Sequence, residues 1–495
     1  MSKFFNTKEQ FLLILIASIS VAIRLHVNFS TEYFPGNNGA YYLIMVRSLL
    51  EKGQLIRADF PLLFWLETAI SFLIIKLGLA NLSSAVDFTT RAFDSVVPVF
   101  SIVPAYLLTK RLLVNKDNFY APILISSVSI LYYSFITLVS DFQKNALGLL
   151  WLFWMIYFLL LVHEKPSFKN IFGLLVFLLL TGLTHYGCIA VAITIIMVDF
   201  LSRHFTGYSF KKFLKLTFFL IISIGVSVAV MYLINPWRVR TFIEIPFQIF
   251  KDPVFSRIIN REPIITPFDV AGLLLTNILG VSALYFFVKR FKEINEKHRT
   301  YYLSMIILVL FLSSPFLAYE YAQRVYFISY MTAIPVVAFI YNIISNENGK
   351  KNILLIVSVT ILCSVIDGLT KPTFSNMNKN LYSELNEIKT RIKINSTDVI
   401  IARHGMEFWS TWIIGADAFR QESTWPIYWK WYSKVYILNQ KKSKSPFGPA
   451  GIFGKPFNEP QIPEKSVLVY CGEYFDLYQS PLPPENFENY NKPEF

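Results

Sequence analysis

From residue 10 to about 370 the chain is a succession of apolar runs with short polar breaks, at 10–28, 61–79, 92–109, 119–138, 145–162, 170–184, 188–201, 215–235, 268–288, 301–318, 326–344 and 353–370. A helix rises about 1.5 Å per residue, so about 20 apolar residues cross the roughly 30 Å of hydrocarbon in a bilayer. Most runs reach that length; 170–184 and 188–201 are short and predict a buried pair. After Thr370 the pattern turns polar. Residues 379–393 predict a helix, 398–402 a strand, Arg403 to Ile414 a turn and helix, and 435–438 and 466–471 further strands, with a Lys/Pro/Gly-rich loop at 439–465. The predicted fold class is therefore mainly α: a polytopic membrane helical bundle over 1–370, followed by a small α/β domain over 371–495.

Composition agrees. With 54% hydrophobic, 17% aromatic and 16% charged residues the chain carries more apolar surface than a soluble protein buries. The net charge of +13 sits in Lys/Arg clusters between apolar runs, which is a membrane-topology signal rather than a nucleic-acid footprint. If all twelve runs crossed, the clusters at Lys110/Arg111/Lys116, Arg203/Lys211/Lys212/Lys215 and Lys289/Arg290/Lys292/Lys297/Arg299 would lie opposite the basic N-terminus. Taking 61–79, opened by Pro61 and interrupted by Glu67, as interfacial or re-entrant reverses every later side. The inside loops 110–118, 163–169, 202–215, 289–300 and 346–351 then hold 16 Lys/Arg, against 7 in the outside loops 139–144, 185–187, 236–266 and 319–324. About eleven crossings follow, in a multi-pass plasma-membrane protein with a cytoplasmic N-terminus and an extracytoplasmic C-terminal domain. The run Phe11 to Val27 lacks a small-residue cleavage site and reads as a retained helix. Cys188, Cys363 and Cys471 are too scattered for a disulfide framework or a thiolate metal site. No fixed-period repeat and no inverted halves of the transporter kind occur.

On this topology the outer side gathers the polar chemistry. The first outer loop runs from Glu32 through Asn37, Asn38 and Tyr41 into a helix from Leu43 to Lys52 closed by Gly53, and continues to Arg57 and Asp59. Ordinary helix stops in a solvated loop would look the same. Asp141 stands between two apolar spans, where a carboxylate costs a few kcal/mol unless interfacial or paired; Ser140 or Asp141 capping the next helix and a catalytic or ligand role both fit. His185 ends a short helix on the same side, as a helix-end histidine or a ligand. Arg91 and Asp94, three residues apart, predict a local ion pair; Glu320 and Arg324 allow a helix salt bridge, while an arginine at the head of a span also suits a phosphate. Five of nine tryptophans lie between 409 and 431, as a sugar platform, a membrane footing or core. There is no GxxxxGK[ST], HExxH or CxxC, and no Asp-x-Asp in the first loop, so nucleotide hydrolysis, zinc proteolysis and a metal–phosphate clamp lack their residues. Neither metal nor cofactor is expected.

Over residues 10 to 200 the pattern resembles the GT-C glycosyltransferases, such as protein O-mannosyltransferases and aminoarabinose transferases. The matching features are Ile23-Arg24-Leu25 at the end of the first helix, a tyrosine-containing juxtamembrane helix ending in glycine, the segment Pro61-Leu-Leu-Phe-Trp65, Asp141 after the third crossing, and the turn Thr184-His185. The resemblance implies an inverting transfer of a sugar from a polyprenyl-phosphate donor to a glycan, lipid or protein acceptor of the cell envelope, in contact with membrane lipid and without nucleic acid. It implies a base among Asp59, Asp141 and Glu32, donor-phosphate contacts from Arg57, Arg91, His185 and Arg324, and acceptor or sugar contacts from Asn37, Asn38 and Tyr41. One departure stands out: where such enzymes usually carry an acid directly before the tyrosine-containing helix, this chain has Asn37-Asn38-Gly39. Another carboxylate must then serve, or the chain is a non-catalytic assembly protein on the same scaffold. A transporter or lipid scramblase is the rival from another class, and would place its ionisable residues near span centres rather than at one end.

Overall fold

The computed structural model describes residues 7–113, 120–205, 248–259, 267–371, 373–420, 431–441 and 459–481, with scattered positions between 218 and 244; for 204–205, 257–259, 267–269 and 319–324 it describes the backbone alone. Its helices, in chain order, are α1 (Thr7–Phe29), α2 (Gly39–Lys52), α3 (Leu62–Lys76), α4 (Leu82–Val96), α5 (Ile102–Leu112), α6 (Tyr120–Leu131), α7 (Tyr133–Thr137), α8 (Gln143–Glu164), α9 (Phe168–Thr184), α10 (Tyr186–Phe205), α11 (Val254–Ile259), α12 (Pro267–Lys289), α13 (Glu296–Leu312), α14 (Tyr319–Ile343), α15 (Glu347–Thr370), α16 (Lys379–Arg391) and α17 (Met406–Ile414). The chain separates into two compact units, neither continuous in sequence. One comprises Met1–His26, Asp59–Leu63 and Phe93–Lys371; the other Val27–Ala58, Phe64–Ala92 and Pro372–Phe495.

Among the described residues, eight helical stretches are long and apolar enough to cross a membrane: Thr7–Phe29, Leu82–Leu112, Tyr120–Thr137, Gln143–Glu164, Tyr186–Arg203, Val270–Lys289, Val325–Ile343 and Glu347–Thr370. The run at 61–79 forms α3, whose fifteen residues rise only about 22 Å, short of the hydrocarbon thickness. Most of the run at 215–235 lies outside the described residues. The expected buried pair fails for α9, where Phe168, Phe172, Leu175 and Leu179 are exposed; such an outward apolar face is what lipid solvates.

In the helical unit α8 packs against α5, α9, α10 and α13, while α14 packs against α5, α6 and α13. Burial ranks the helices: the central stretch of α14 is 83% buried and that of α15 only 17%, so α14 lies in the core and α15 on the rim. One polar knot joins α8, α10 and α13. The Asp199 carboxylate meets His163 Nε2 at 2.7 Å, accepts from Arg203 Nε at 2.9 Å, and accepts from Ser304 Oγ at 3.3 Å. Buried charge is tolerated there because each carboxylate oxygen has a partner.

In the second unit α2 closes as the sequence predicts, on Gly53 at φ 70°, with its N–H donating to Leu49 O. Strands β1 (Asp398–Ala402), β2 (Asp417–Arg420), β3 (Lys434–Gln440), β4 (Val467–Cys471) and β5 (Phe475–Gln479) form one sheet in the order β2-β1-β3-β5-β4. β2 and β3 flank β1 in parallel; β5 runs antiparallel to β3, and β4 to β5. Every β1 residue is buried, as a central parallel strand requires, and Val399, Ile401, Val435 and Ile437 form the sheet core. Helix α17 is the crossover from β1 to β2 and packs on α2. The strands expected at 398–402, 435–438 and 466–471 and the helix ending at Ile414 all form. β2 was not expected: four residues reading Asp-Ala-Phe-Arg carry no strand signal of their own.

Candidate functional site

Within the helical unit, the acid after the third predicted crossing is positioned by a buried ion pair. Arg24 is fully buried on α1, a costly place for a charge unless a partner answers it. Its Nη2 pairs with Asp94 Oδ1 at 2.9 Å, Nε and Nη2 donate to the Asp94 carbonyl at 3.0 and 2.8 Å, and Nη1 donates to Phe135 O at 2.9 Å. Asp94 Oδ2 accepts the backbone N–H of Ser140 at 3.0 Å, and Ser140 holds a left-handed φ of 64°. Asp141 follows directly, half-buried, its N–H donating to Val139 O. Two expectations change here. Phe142, not Ser140 or Asp141, stands at the N-cap position of α8 and its own side chain makes no cap hydrogen bond, while the Ser140 N–H goes to Asp94. Arg91 and Asp94 each find another partner: Arg91 pairs with Asp87 at 3.0 Å and Asp94 with Arg24.

Asp59, only 8% exposed, belongs to the same unit. Its Oδ1 accepts the Phe60 N–H at 2.7 Å, and its Oδ2 is ion-paired with Lys144 in the first turn of α8, three residues past Asp141. Gln143, between them in sequence, is buried, and among the described residues its amide oxygen and nitrogen meet no hydrogen-bond partner. His185 is buried at the junction of α9 and α10, its N–H donating to Thr181 O and its ring 4.7 Å from that of Tyr186. The preceding Thr184 Oγ1 accepts from Trp151 Nε1 of α8 at 3.1 Å, tying the Thr-His turn to that helix. Lys144 and Gln143 carried no role on sequence grounds, Asp94 only that of a local partner for Arg91, and Arg24 only its place in the motif. The available signal for Arg24 and Asp94 was ionisable residues beside apolar runs.

In the second unit Arg91 is buried, and its donors go to Asp87 Oδ1, Asn28 O (2.7 Å), Thr31 O (3.0 Å) and Glu32 O (3.1 Å). It staples the start of the first loop. Glu32 itself is exposed, while burial, with Glu32 and Tyr382 adding, pushes the Tyr33 hydroxyl up to about 12. Arg57 lies 4.8 Å over the Phe408 ring and 5.2 Å over Phe419, and donates to Ala418 O. Asn37 is buried, and its carbonyl accepts from Asn376 Nδ2 at 3.3 Å, while Asn376 Oδ1 accepts from Trp409 Nε1 at 2.6 Å. Gly405 stands against this group at φ 90°; a Cβ there would meet Asn376 Nδ2 at 2.3 Å and Asn37 O at 3.1 Å. Asn38 precedes α2 without capping it through its side chain, and the Tyr41 ring meets Phe64 and Phe408 edge-on.

Of the clustered tryptophans, Trp409 and Trp412 are buried core and Trp431 is exposed, while positions 425 and 429 lie outside the described residues. The side chains of Glu320 and Arg324 also lie outside them. An open apolar cavity of about 470 Å³ is lined by Leu49 and Leu50 of α2 and Trp65, Ala69 and Phe72 of α3. Among the described residues, no group of three or more His, Cys, Asp or Glu is placed to hold a metal ion.

No family model matches the sequence, and no curated protein does. Solved structures do. The chain is similar to the oligosaccharyltransferase of Archaeoglobus fulgidus in its apo form, at 12% identity and a TM-score of 0.61, over 89% of this chain and 70% of that one. The same archaeal protein, AglB, is also matched in complex with an inhibitory peptide and a dolichol-phosphate, at a TM-score of 0.55, 12% identity and 93% and 75% coverage. ArnT from Cupriavidus metallidurans bound to undecaprenyl phosphate matches at 10% identity and a TM-score of 0.52, over 96% of this chain and 98% of that one. The arabinofuranosyltransferase AftD from mycobacteria, a longer chain, matches at 11% and 0.50, with 94% and 39% covered. All are GT-C glycosyltransferases, and the chain has the GT-C fold.

Proposed function

We propose that this protein is a membrane glycosyltransferase that moves a sugar from a polyprenyl-phosphate donor to an acceptor hydroxyl or amine at the outer face of the plasma membrane. The observation that carries the reading is an ion pair in the helical unit of a GT-C fold, Asp59 with Lys144, with a second acid, Asp141, three residues before that lysine in sequence. The structural neighbours support the donor class, since ArnT was captured with undecaprenyl phosphate and the archaeal enzyme with a dolichol-phosphate. The apolar cavity between α2 and α3 suits a hydrocarbon chain.

In the reaction the acceptor gives its proton to a carboxylate while its oxygen or nitrogen bonds to the anomeric carbon. The bond from that carbon to the phosphate oxygen breaks, and the lipid phosphate leaves with the electron pair; a single displacement inverts the anomeric configuration. Asp141 is the better base. Both oxygens of Asp59 already accept, from Phe60 N–H and from Lys144, so a proton arriving there competes with an ion pair. Asp59 instead holds Lys144 in place as a cation for the departing phosphate, with His185 and Arg324 as further contacts; Arg57 and Arg91 spend donors on backbone carbonyls. We further propose eleven crossings with α3 at the interface, an inside N-terminus and residues 371–495 outside.

The test is direct: purified protein in nanodiscs is given polyprenyl-phosphate-linked sugars and extracytoplasmic glycan, lipid and peptide acceptors, and released polyprenyl phosphate is quantified. Release that depends on an acceptor supports the reading. Binding of polyprenyl phosphate with no release from any donor would place the chain among non-catalytic relatives of the fold.

A further inference from the structure

The sheet of the second unit contains a topological switch point with a polar cluster built into it. β1, β2 and β3 are parallel, so their carboxyl ends share one edge. β1 connects through α17 to β2, its neighbour on one side, whereas β3 has β5 and then β4 on its other side. In open parallel sheets the position outside the carboxyl ends of neighbouring strands whose connections diverge is the usual ligand position.

The residues at that point are Arg403, immediately after β1, Gln440, the last residue of β3, and Glu407, in the first turn of α17. All three are buried. Arg403 Nε donates to Gln440 Oε1 at 2.5 Å, and Arg403 Nη1 donates to the His404 carbonyl at 3.4 Å. His404 Nδ1 lies 3.1 Å from Glu407 Oε1, and Arg403 lies 3.9 Å from Glu459. The second halves of two of these groups are left over: among the described residues, Glu407 Oε2 and Gln440 Nε2 meet no hydrogen-bond partner. An unanswered buried carboxylate oxygen and amide N–H each cost stability, so each calls for a partner: a water, an ion or a ligand. His404 and Glu459, with side chains 30% and 18% exposed, are the members that reach solvent.

We propose that this switch point is a saccharide-binding site, in which neighbouring hydroxyls of a neutral sugar donate to Glu407 Oε2 and accept from Gln440 Nε2. An acceptor and a donor left over in one cluster are answered together by a diol, since each hydroxyl both gives and takes a hydrogen bond. The charge pattern argues against a phosphate: two carboxylates, Glu407 and Glu459, face the one guanidinium of Arg403. The site is assigned from its own chemistry and stands whether or not the chain transfers sugar.

The experiment uses the full chain in nanodiscs prepared without sugar-headed detergent. Saturation-transfer NMR would titrate methyl α-mannoside, methyl β-galactoside, methyl β-glucoside and N-acetylglucosamine, with inorganic phosphate and putrescine as charged probes. At least one saccharide should bind saturably, and Glu407→Gln and Gln440→Glu should each weaken it by about tenfold or more. Gln440→Glu keeps an acceptor for Arg403 while removing the amide donor, and its melting temperature serves as the folding control; Asp141→Asn should leave this binding unchanged. Silence of all four saccharides, equal binding by wild type and both variants, or preferential binding of phosphate or putrescine would each overturn the site. Failure of both variants to fold would make the cluster structural and overturn it equally.

Discussion

Arg24 and Asp94 pair at 2.9 Å with neither side chain exposed, and the other oxygen of Asp94 holds the Ser140 N–H. The pair therefore sets the conformation of the residue before Asp141. Replacing Asp94 by Asn keeps its shape but leaves the Arg24 guanidinium buried without a counter-charge, which should cost about 3–5 kcal/mol. The double replacement Arg24→Met with Asp94→Asn should cost less than the sum of the two singles, because neither charge is then left alone. Unfolding of the four proteins in mixed micelles measures the coupling; additive losses would mean that the pair contributes no more than its separate side chains.

Asp141→Asn is expected to lower sugar transfer by roughly a hundredfold or more with the melting temperature unchanged, as removal of a general base does. Asn serves a helix cap about as well as Asp, and the α8 cap is Phe142 in any case, so a capping role would not produce that loss. Asp59→Asn should act differently, weakening donor binding through Lys144 more than it slows the chemical step. Steady-state kinetics with varied donor separates the two; full activity in both variants would remove these acids from the reaction.

Cys471 is exposed and is predicted to label with an impermeant maleimide in intact cells, in a Cys363→Ser background that leaves only the buried Cys188. A cysteine introduced at Lys116 should stay protected. The hydrogen bond between Cys471 and Asp476 raises the pKa of the Cys471 thiol, so less of it is thiolate near neutrality and labelling should quicken as the pH is raised. Protection at 471 with labelling at 116 would reverse the proposed topology.

Gly405→Ala should destabilise the sheet-containing unit by about 1–3 kcal/mol, since φ 90° is closed to side chains and the new methyl runs into Asn376 and Asn37. Gly53→Ala is the comparator: φ 70° with nothing within 4 Å of the added atom, leaving a left-handed penalty of about 1–2 kcal/mol. Limited proteolysis of each variant should nick Gly405→Ala the sooner. Equal susceptibility would show that the Asn37–Asn376 contact yields without cost.

How much of this was legible in the sequence follows from the range of each signal. Apolar runs of helical length, the glycine closing α2, the buried strand Asp398–Ala402 and the isolated acid Asp141 are local features, fixed by side chains within a few residues, and they could be read directly. Partner choice is not local. Arg24 meets Asp94 across 70 residues, Lys144 meets Asp59 across 85, and Asn376 meets Asn37 across 339. Spacing offered Arg91 as a partner for Asp94 because helical neighbours at i, i+3 are always within reach. The low-dielectric interior chose otherwise, since a buried charge stays only where the tertiary packing delivers an opposite charge and enough hydrogen bonds to replace water. The same holds for the division of the chain: Val27–Ala58 and Phe64–Ala92 join the sheet domain rather than the helices that flank them in sequence, a choice made by packing between distant segments and written in no single stretch of residues.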